Sequence, residues 1–176
     1  MDLGRILATL AALAAAATGA LPCAAAAAAA AQAAGIRITA SDKAVADQFG
    51  TSVDVDGDRA VVGSVFDDDA GAASGSAYVF VRGRPGWVEE AKLVASDGQM
   101  GDRFGDSVSL SGDTVLVGAP RDDGAGVASG AAYVFVRSGT SWSQQFKLVA
   151  MDQAPGDRFG DSVALLGDTA VIGAGF

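Results

Sequence analysis

One phrase returns along this chain at a constant offset of 55 residues. Asp102-Arg103-Phe104-Gly105 comes back as Asp157-Arg158-Phe159-Gly160 and is preceded, at the same offset, by Asp47-Gln48-Phe49-Gly50. Tyr78-Val79-Phe80 recurs as Tyr133-Val134-Phe135, Trp87 as Trp142, and Lys92-Leu93-Val94-Ala95 as Lys147-Leu148-Val149-Ala150. A period of this length restricts the chain to a solenoid, a propeller or an array, because one unit cannot bury its apolar face alone.

Each unit reads as four strands. In the second, Ser107 to Ser111 alternates small polar residues with Val108 and Leu110. Gly112-Asp113 then predicts a two-residue II′ hairpin turn, with glycine at the position that needs positive φ. Thr114 to Gly118 and Ala131 to Val136 are nearly continuous apolar runs, as expected of strands covered on both faces. Trp142 to Val149 alternates, which places Trp142, Phe146 and Leu148 on one face and Ser143, Gln145 and Lys147 on the other. A four-stranded sheet covered on both faces needs like sheets on either side, and radial stacking supplies them. The expected fold is all-β: a partial β-propeller of about two and a half four-stranded antiparallel blades. Phe104 is expected to fill the gap between blades and Gly105 to allow close backbone approach. Phe104, Tyr133 and Trp142 read as core rather than as a ligand-stacking platform. Ile36-Arg37-Ile38-Thr39 matches the final strand of a unit, because it leads into Ala40-Ser41-Asp42 as Leu93 leads into Ala95-Ser96-Asp97.

The chain of 176 residues divides into a leader, 1–34, and a repeat region, 35–176, with units at about 43–97, 98–152 and an incomplete 153–176. Ile6 to Ala17 is apolar apart from Thr9, and Thr18-Gly19-Ala20 is a small-residue stretch, so the leader is expected to be a helical signal peptide followed by an alanine-rich spacer. That implies a secreted or cell-surface protein, with a signal anchor as the alternative and no stable span once the leader is removed. The net charge of −9 argues against nucleic acid as a partner. There is no histidine, and the single cysteine, Cys23, lies in the leader. The usual general base near neutral pH, any internal disulfide and a thiolate zinc site are therefore excluded.

Phe-Gly followed by Gly118-Ala119-Pro120 resembles the FG-GAP repeat of integrin α-like propellers, in the shorter variety of exported bacterial proteins. The surrounding Gly-Asp-Arg-Phe-Gly-Asp-Ser-Val, Ala-Tyr-Val-Phe and Lys-Leu-Val-Ala phrases carry the same likeness across residues 36–176. Gly-Ala-Pro is intact only in the second unit; the first has Gly63-Ser64-Val65 and the third Gly173-Ala174-Gly175. The resemblance implies that calcium can bind between the first two strands of a blade, through an Asp-x-Asp-x-Asp-Gly loop. Asp54, Asp56 and Asp58 are the one stretch of that type here. Their equivalents around Gly112 and Gly167 cannot ligate, so a plain hairpin turn, with no cofactor, is the default expectation.

In a four-stranded meander the 2–3 and 4–1 connections share one end. Asp67, Asp68, Asp69, Asp97, Asp102, Asp122, Asp123, Asp152 and Asp157 are therefore expected on one rim, with Arg82, Arg84 and Arg137 at the opposite end. Loops on a rigid scaffold are where binding concentrates, and the resemblance implies ligands at the same rim. The alternative is a solvated rim whose aspartates cap turn amides. The function expected is an exported, non-catalytic module for extracellular recognition or scaffolding, with an unknown protein or glycan ligand. An accessory domain of a larger secreted hydrolase and a calcium-binding adhesion module are the alternatives. Closed propellers have about 4–8 blades, so the sequence is expected to be a fragment or truncated gene product, or to self-associate through unpaired strands.

Overall fold

Turn glycines and alternation fold each unit into an antiparallel meander. The computed structural model describes residues 36–84 and 86–175, and their regular structure is all strand. The leader, and with it the expected signal helix, lies outside the described residues. The first sheet contains β1 (Phe49–Asp56), β2 (Arg59–Ser64), β3 (Ser76–Arg82) and β4 (Trp87–Leu93), hydrogen-bonded in chain order. The second repeats the order with β5 (Ser107–Ser111), β6 (Thr114–Ala119), β7 (Ala131–Ser138) and β8 (Ser141–Leu148). The third is a hairpin of β9 (Phe159–Leu166) and β10 (Thr169–Ala174). The architecture is that of a partial β-propeller with two four-stranded blades and a two-stranded third.

The turn between the first two strands of each unit is made alike. Asp56 pairs with Arg59, Ser111 with Thr114 and Leu166 with Thr169, leaving two-residue turns that open on Gly57, Gly112 and Gly167 at φ +57°, +58° and +55°. The aspartate after each glycine stays out of the positive-φ region, the sign pattern of a II′ turn.

Two expectations need correction. Phe146 does not share a face with Trp142. A bulge leaves Gln145 unpaired between Gln144, opposite Phe135, and Phe146, opposite Val134. One extra residue reverses the alternation, so Trp142, Gln144 and Lys147 share the Tyr133 face, while Phe146 and Leu148 lie on the other. Glu90 is the same bulge in β4. Ile36 to Thr39 is not a strand either: no ladder includes it. Ile38 and Ala40 are nonetheless buried against Val62, Tyr78 and Phe80, where Leu93 and Ala95 stand in the next core. Their apolar packing survives without backbone pairing.

The blades stack face to face. Val61, Ala77, Val79 and Leu93 of the first sheet form one core with Val115, Val117, Tyr133 and Phe135 of the second. Phe104, 1% exposed, is the wedge between them, edge-on to Tyr133 at 5.4 Å and to Phe135 at 5.9 Å. Burying a phenylalanine contributes about 1.5–3 kcal/mol.

The glycine after this wedge makes the joint. Gly105 has φ +89°, and a Cβ there would meet the Ser76 carbonyl oxygen at 2.2 Å. On its other side it touches Gly63, where a Cβ would come within 2.0 Å of the Gly105 oxygen. Ser52 Oγ donates to that oxygen at 2.7 Å. The next joint repeats every part: Gly160 on Gly118, with Ser107 Oγ donating to the Gly160 oxygen at 2.7 Å. The phrase Phe-Gly in one unit and the β2- or β6-strand glycine of the unit before it are thus two halves of one contact.

Candidate functional site

The 2–3 and 4–1 connections meet at one end of the stack and are laced together by backbone hydrogen bonds. Gly101, Arg103 and Phe104 donate N–H to the carbonyls of Ala72, Ala73 and Ser74, and Arg121 donates to Asp102. Gly156, Arg158 and Phe159 repeat the pattern on Val127, Ala128 and Ser129. These bonds make the rim one surface rather than separate loops.

The acidic residues on that rim divide into two kinds. Asp67, Asp102 and Asp122 are buried, at 4%, 4% and 3% exposure. Asp68, Asp69, Asp97, Asp123 and Asp152 are exposed, and Asp157 is half-buried. Asp68 and Asp123 each hold a loop amide, of Ala73 at 2.9 Å and of Ala128 at 2.7 Å. Asp102 and Asp157 accept the N–H of Gln99 and Ala154 at 2.7 and 2.6 Å. This is aspartate closing its own turn.

Asp67 and Asp122 anchor a network that spans two units. The Tyr78 hydroxyl lies 2.7 Å from Asp67 Oδ2 and 2.8 Å from Asp42 Oδ1, sharing its proton between them. Lys92 Nζ donates to Asp42 at 2.6 Å and to Asp67 at 3.1 Å, and reaches Asp69 at 2.5 Å. Tyr133, Lys147, Asp122 and Asp97 repeat the arrangement: Tyr133 is 2.8 Å from Asp122 and 3.0 Å from Asp97, and Lys147 is 2.7 Å from both. Tyr78, Tyr133, Lys92 and Lys147 escaped the sequence-based selection of site residues. Their signal was available: all four positions of the network recur at the repeat offset.

Burial works against the charge on Asp67, Asp42 and Asp97. The hydrogen bonds from tyrosine and lysine, with the lysine's charge, outweigh it and hold all three carboxyls below their ordinary value of 3.8. Burial also opposes charge on Lys92 and Lys147, and their aspartate partners more than offset it, raising both. Burial pushes the Tyr78 and Tyr133 hydroxyls up, so they stay protonated donors. Asp102 and Asp106 are raised, chiefly by burial, with Asp122 and Asp123 adding repulsion at Asp102.

These opposite shifts give a signed pH profile. A carboxyl raised in the fold takes up its proton there first, so Asp102 and Asp106 favour folding as the pH falls towards the carboxylate range. A carboxyl lowered in the fold stabilises above its unfolded value and loses that contribution as the pH falls through its folded one. The urea midpoint is expected to hold or rise from pH 7 to about pH 5, and to drop below about pH 4 as Asp42, Asp67 and Asp97 protonate. A steady decline from pH 7 to 5 would contradict this assignment.

Asp54, Asp56 and Asp58 do not converge. Asp54 Oδ2 accepts from Ser109 Oγ and Leu110 N at 3.0 and 2.8 Å, and Asp56 Oδ2 accepts Gly112 N at 2.7 Å. Asp58 stands 3.8 Å from Arg82. Ser109 and Ser111 brace β9 in the same way, by accepting Leu165 N and Gly167 N. The first two carboxylates are braces between blades and do not fit a calcium cage. Among the described residues no group of three acidic, histidine or cysteine side chains gathers in metal-binding fashion. At the far end Arg137 pairs with Asp113 at 2.7 Å, Arg82 lies over Trp87, and Arg84 is exposed.

On the rim surface a shallow cleft is lined by Met100, Arg121, Asp123, Val127 and Arg158. Met100 and Val127 are 74% and 75% exposed.

No curated protein matches the chain. The sequence profile of the FG-GAP repeat family matches at residues 35–80, 87–135 and 142–176. The longest match, 87–135, runs from β4 of one sheet, through the wedge and its glycine, to β7 of the next. That match spans the joint between blades, and with three matches covering most of its length this chain belongs to the FG-GAP repeat family.

Proposed function

We propose that the protein is an exported, non-catalytic recognition or scaffolding module that takes a protein or glycan ligand on its 2–3/4–1 rim. The observation that carries this reading is the lacing of successive loops, which presents a preformed surface whose ordering cost has been met in folding. The cleft lined by Met100, Arg121, Asp123, Val127 and Arg158 is its centre. It combines exposed apolar contact with charges of both signs, as a recognition patch requires. The buried aspartates serve as the frame of that surface, and the exposed ones, Asp68, Asp69, Asp97, Asp123 and Asp152, as its accessible acceptors.

The test is a glycan and protein array probed with the purified chain, followed by titration of any hit against Val127→Asp and Arg121→Glu. Both residues are exposed, so the fold should tolerate the changes. Each is expected to weaken binding about tenfold or more, the loss of roughly 1.4 kcal/mol. No specific ligand, or a ligand indifferent to both changes, would remove the recognition reading. Export is tested separately, by N-terminal sequencing of protein recovered outside the cytoplasm. Loss of the apolar leader is expected, and a retained Met1 would contradict it.

A further inference from the structure

The two joints between units differ at one position of the rim. At the first joint the Arg103 guanidinium lies over the Phe66 ring, 5.2 Å from its centroid. The equivalents 55 residues on are Arg158 and Arg121. The second joint thus carries a second guanidinium where the first has an aromatic face, and both arginines line the rim cleft. Arginine keeps its charge at any ordinary pH, so the two repel each other.

Neither arginine is neutralised within the fold. Arg59, Arg82 and Arg137 each stand beside a carboxylate. Arg121 and Arg158 are exposed, and among the described residues neither side chain has an ion pair or a hydrogen bond. Asp106 is near enough to Arg121 to feel its charge but forms no ion pair with it. Asp123 is the one carboxylate in the cleft lining, and its Oδ1 already accepts the Ala128 N–H at 2.7 Å. Two positive charges therefore face one negative, on a chain whose net charge is −9. Arg158 is also fixed at its root: its φ is +52°, and its N–H is held by the Ala128 carbonyl at 3.1 Å.

We propose that the cleft binds an acidic peptide segment, with the carboxylate of one Asp or Glu between Arg121 and Arg158 and an apolar neighbour of that acid on Met100 and Val127. The inference rests on the cleft being the recognition site and narrows its ligand to a protein segment of stated chemistry. A guanidinium fork matches the two oxygens of a carboxylate, and an anion between the two arginines relieves their repulsion. Met100 and Val127, 74% and 75% exposed, supply aliphatic contact beside it. The lining has no aromatic ring for a sugar to stack on and no neutral polar side chain for its hydroxyls. That favours a peptide over a uronate-bearing glycan.

The probe is a random heptapeptide library displayed on phage and selected on the purified chain, with an oligoglucuronate titrated in parallel. The first unit supplies the variants. Arg121→Phe restores the residue of the first joint, and Arg158→Gln restores Gln48, which holds the same backbone at φ +53°. Both should keep the cooperative melt. The selected peptides are expected to share an Asp or Glu beside an aliphatic residue and to weaken as salt rises. Either variant, or changing the acid to its amide, should lower their affinity about tenfold or more. Peptides with no shared acid, or indifferent to both arginine variants, would overturn the proposal; if they still answered to Val127→Asp, the recognition reading would stand without it. Tighter binding of the oligoglucuronate than of any peptide would also overturn the proposal alone. Binding of neither probe, with no hit on the arrays, would remove both readings. Should a variant lose its melt, the acid-to-amide exchange in the peptide decides.

Discussion

Gly105→Ala is expected to destabilise the fold by about 2–5 kcal/mol, from overpacking of about 1–3 kcal/mol plus about 1–2 kcal/mol of left-handed backbone strain. The added methyl would point at the Ser76 carbonyl oxygen, 2.2 Å away, and the nearest escape is blocked by Gly63. Backbone on both sides cannot swing away as a side chain would, so the blades must part. Gly112→Ala is the control. Its φ is +58°, and a Cβ there meets nothing within 4 Å. It should therefore cost only the backbone strain, about 1–2 kcal/mol. Urea titrations of the two variants separate the contributions. Equal losses would mean that the joint is not tightly packed.

Asp122→Ala is the second large effect. The carboxylate is 3% exposed and receives Tyr133, Lys147 and the Gly124 N–H. Removing one member of a buried pair costs about 3–5 kcal/mol because the other charge is left without its partner. Here Lys147 keeps 28% of its side-chain exposure and still faces Asp97 at 2.7 Å, so about 2–4 kcal/mol is expected. Tyr133→Phe removes a single bond to a charged acceptor and should cost less, about 1.5–3 kcal/mol. A loss below about 0.5 kcal/mol for Asp122→Ala, the range of an ordinary surface change, would reduce the network to decoration.

The architecture was readable in the sequence because a repeat states its own boundaries. The four strands per unit, the II′ turns at Gly57, Gly112 and Gly167, and Phe104 as the wedge all follow from spacing and residue type. What escaped depends on single residues or distant partners. Gln145 looks like any polar member of an alternating strand, yet its bulge sends Phe146 to the face opposite Trp142. Ile36 to Thr39 has strand-like alternation, but a strand also needs a neighbour to pair with, and the segment keeps only its side-chain packing. Asp54 and Asp56 resemble a cation loop. Their acceptors are turned to the next blade instead, which charge spacing alone does not reveal. Asp67 and Asp122 look like surface acids until the tyrosine and lysine of the two later strands, and Asp42 or Asp97 from the unit before, close around them.

The central claim is that neither four-stranded sheet stands without its neighbour. The chain has two tryptophans, Trp87 in β4 and Trp142 in β8, one in each sheet. Fluorescence-monitored urea unfolding of Trp87→Phe and Trp142→Phe therefore follows the sheets one at a time. One shared transition is predicted, and Gly105→Ala, placed at the joint, should move it equally for both probes. Two separate midpoints, or a Gly105→Ala shift confined to one tryptophan, would contradict the account.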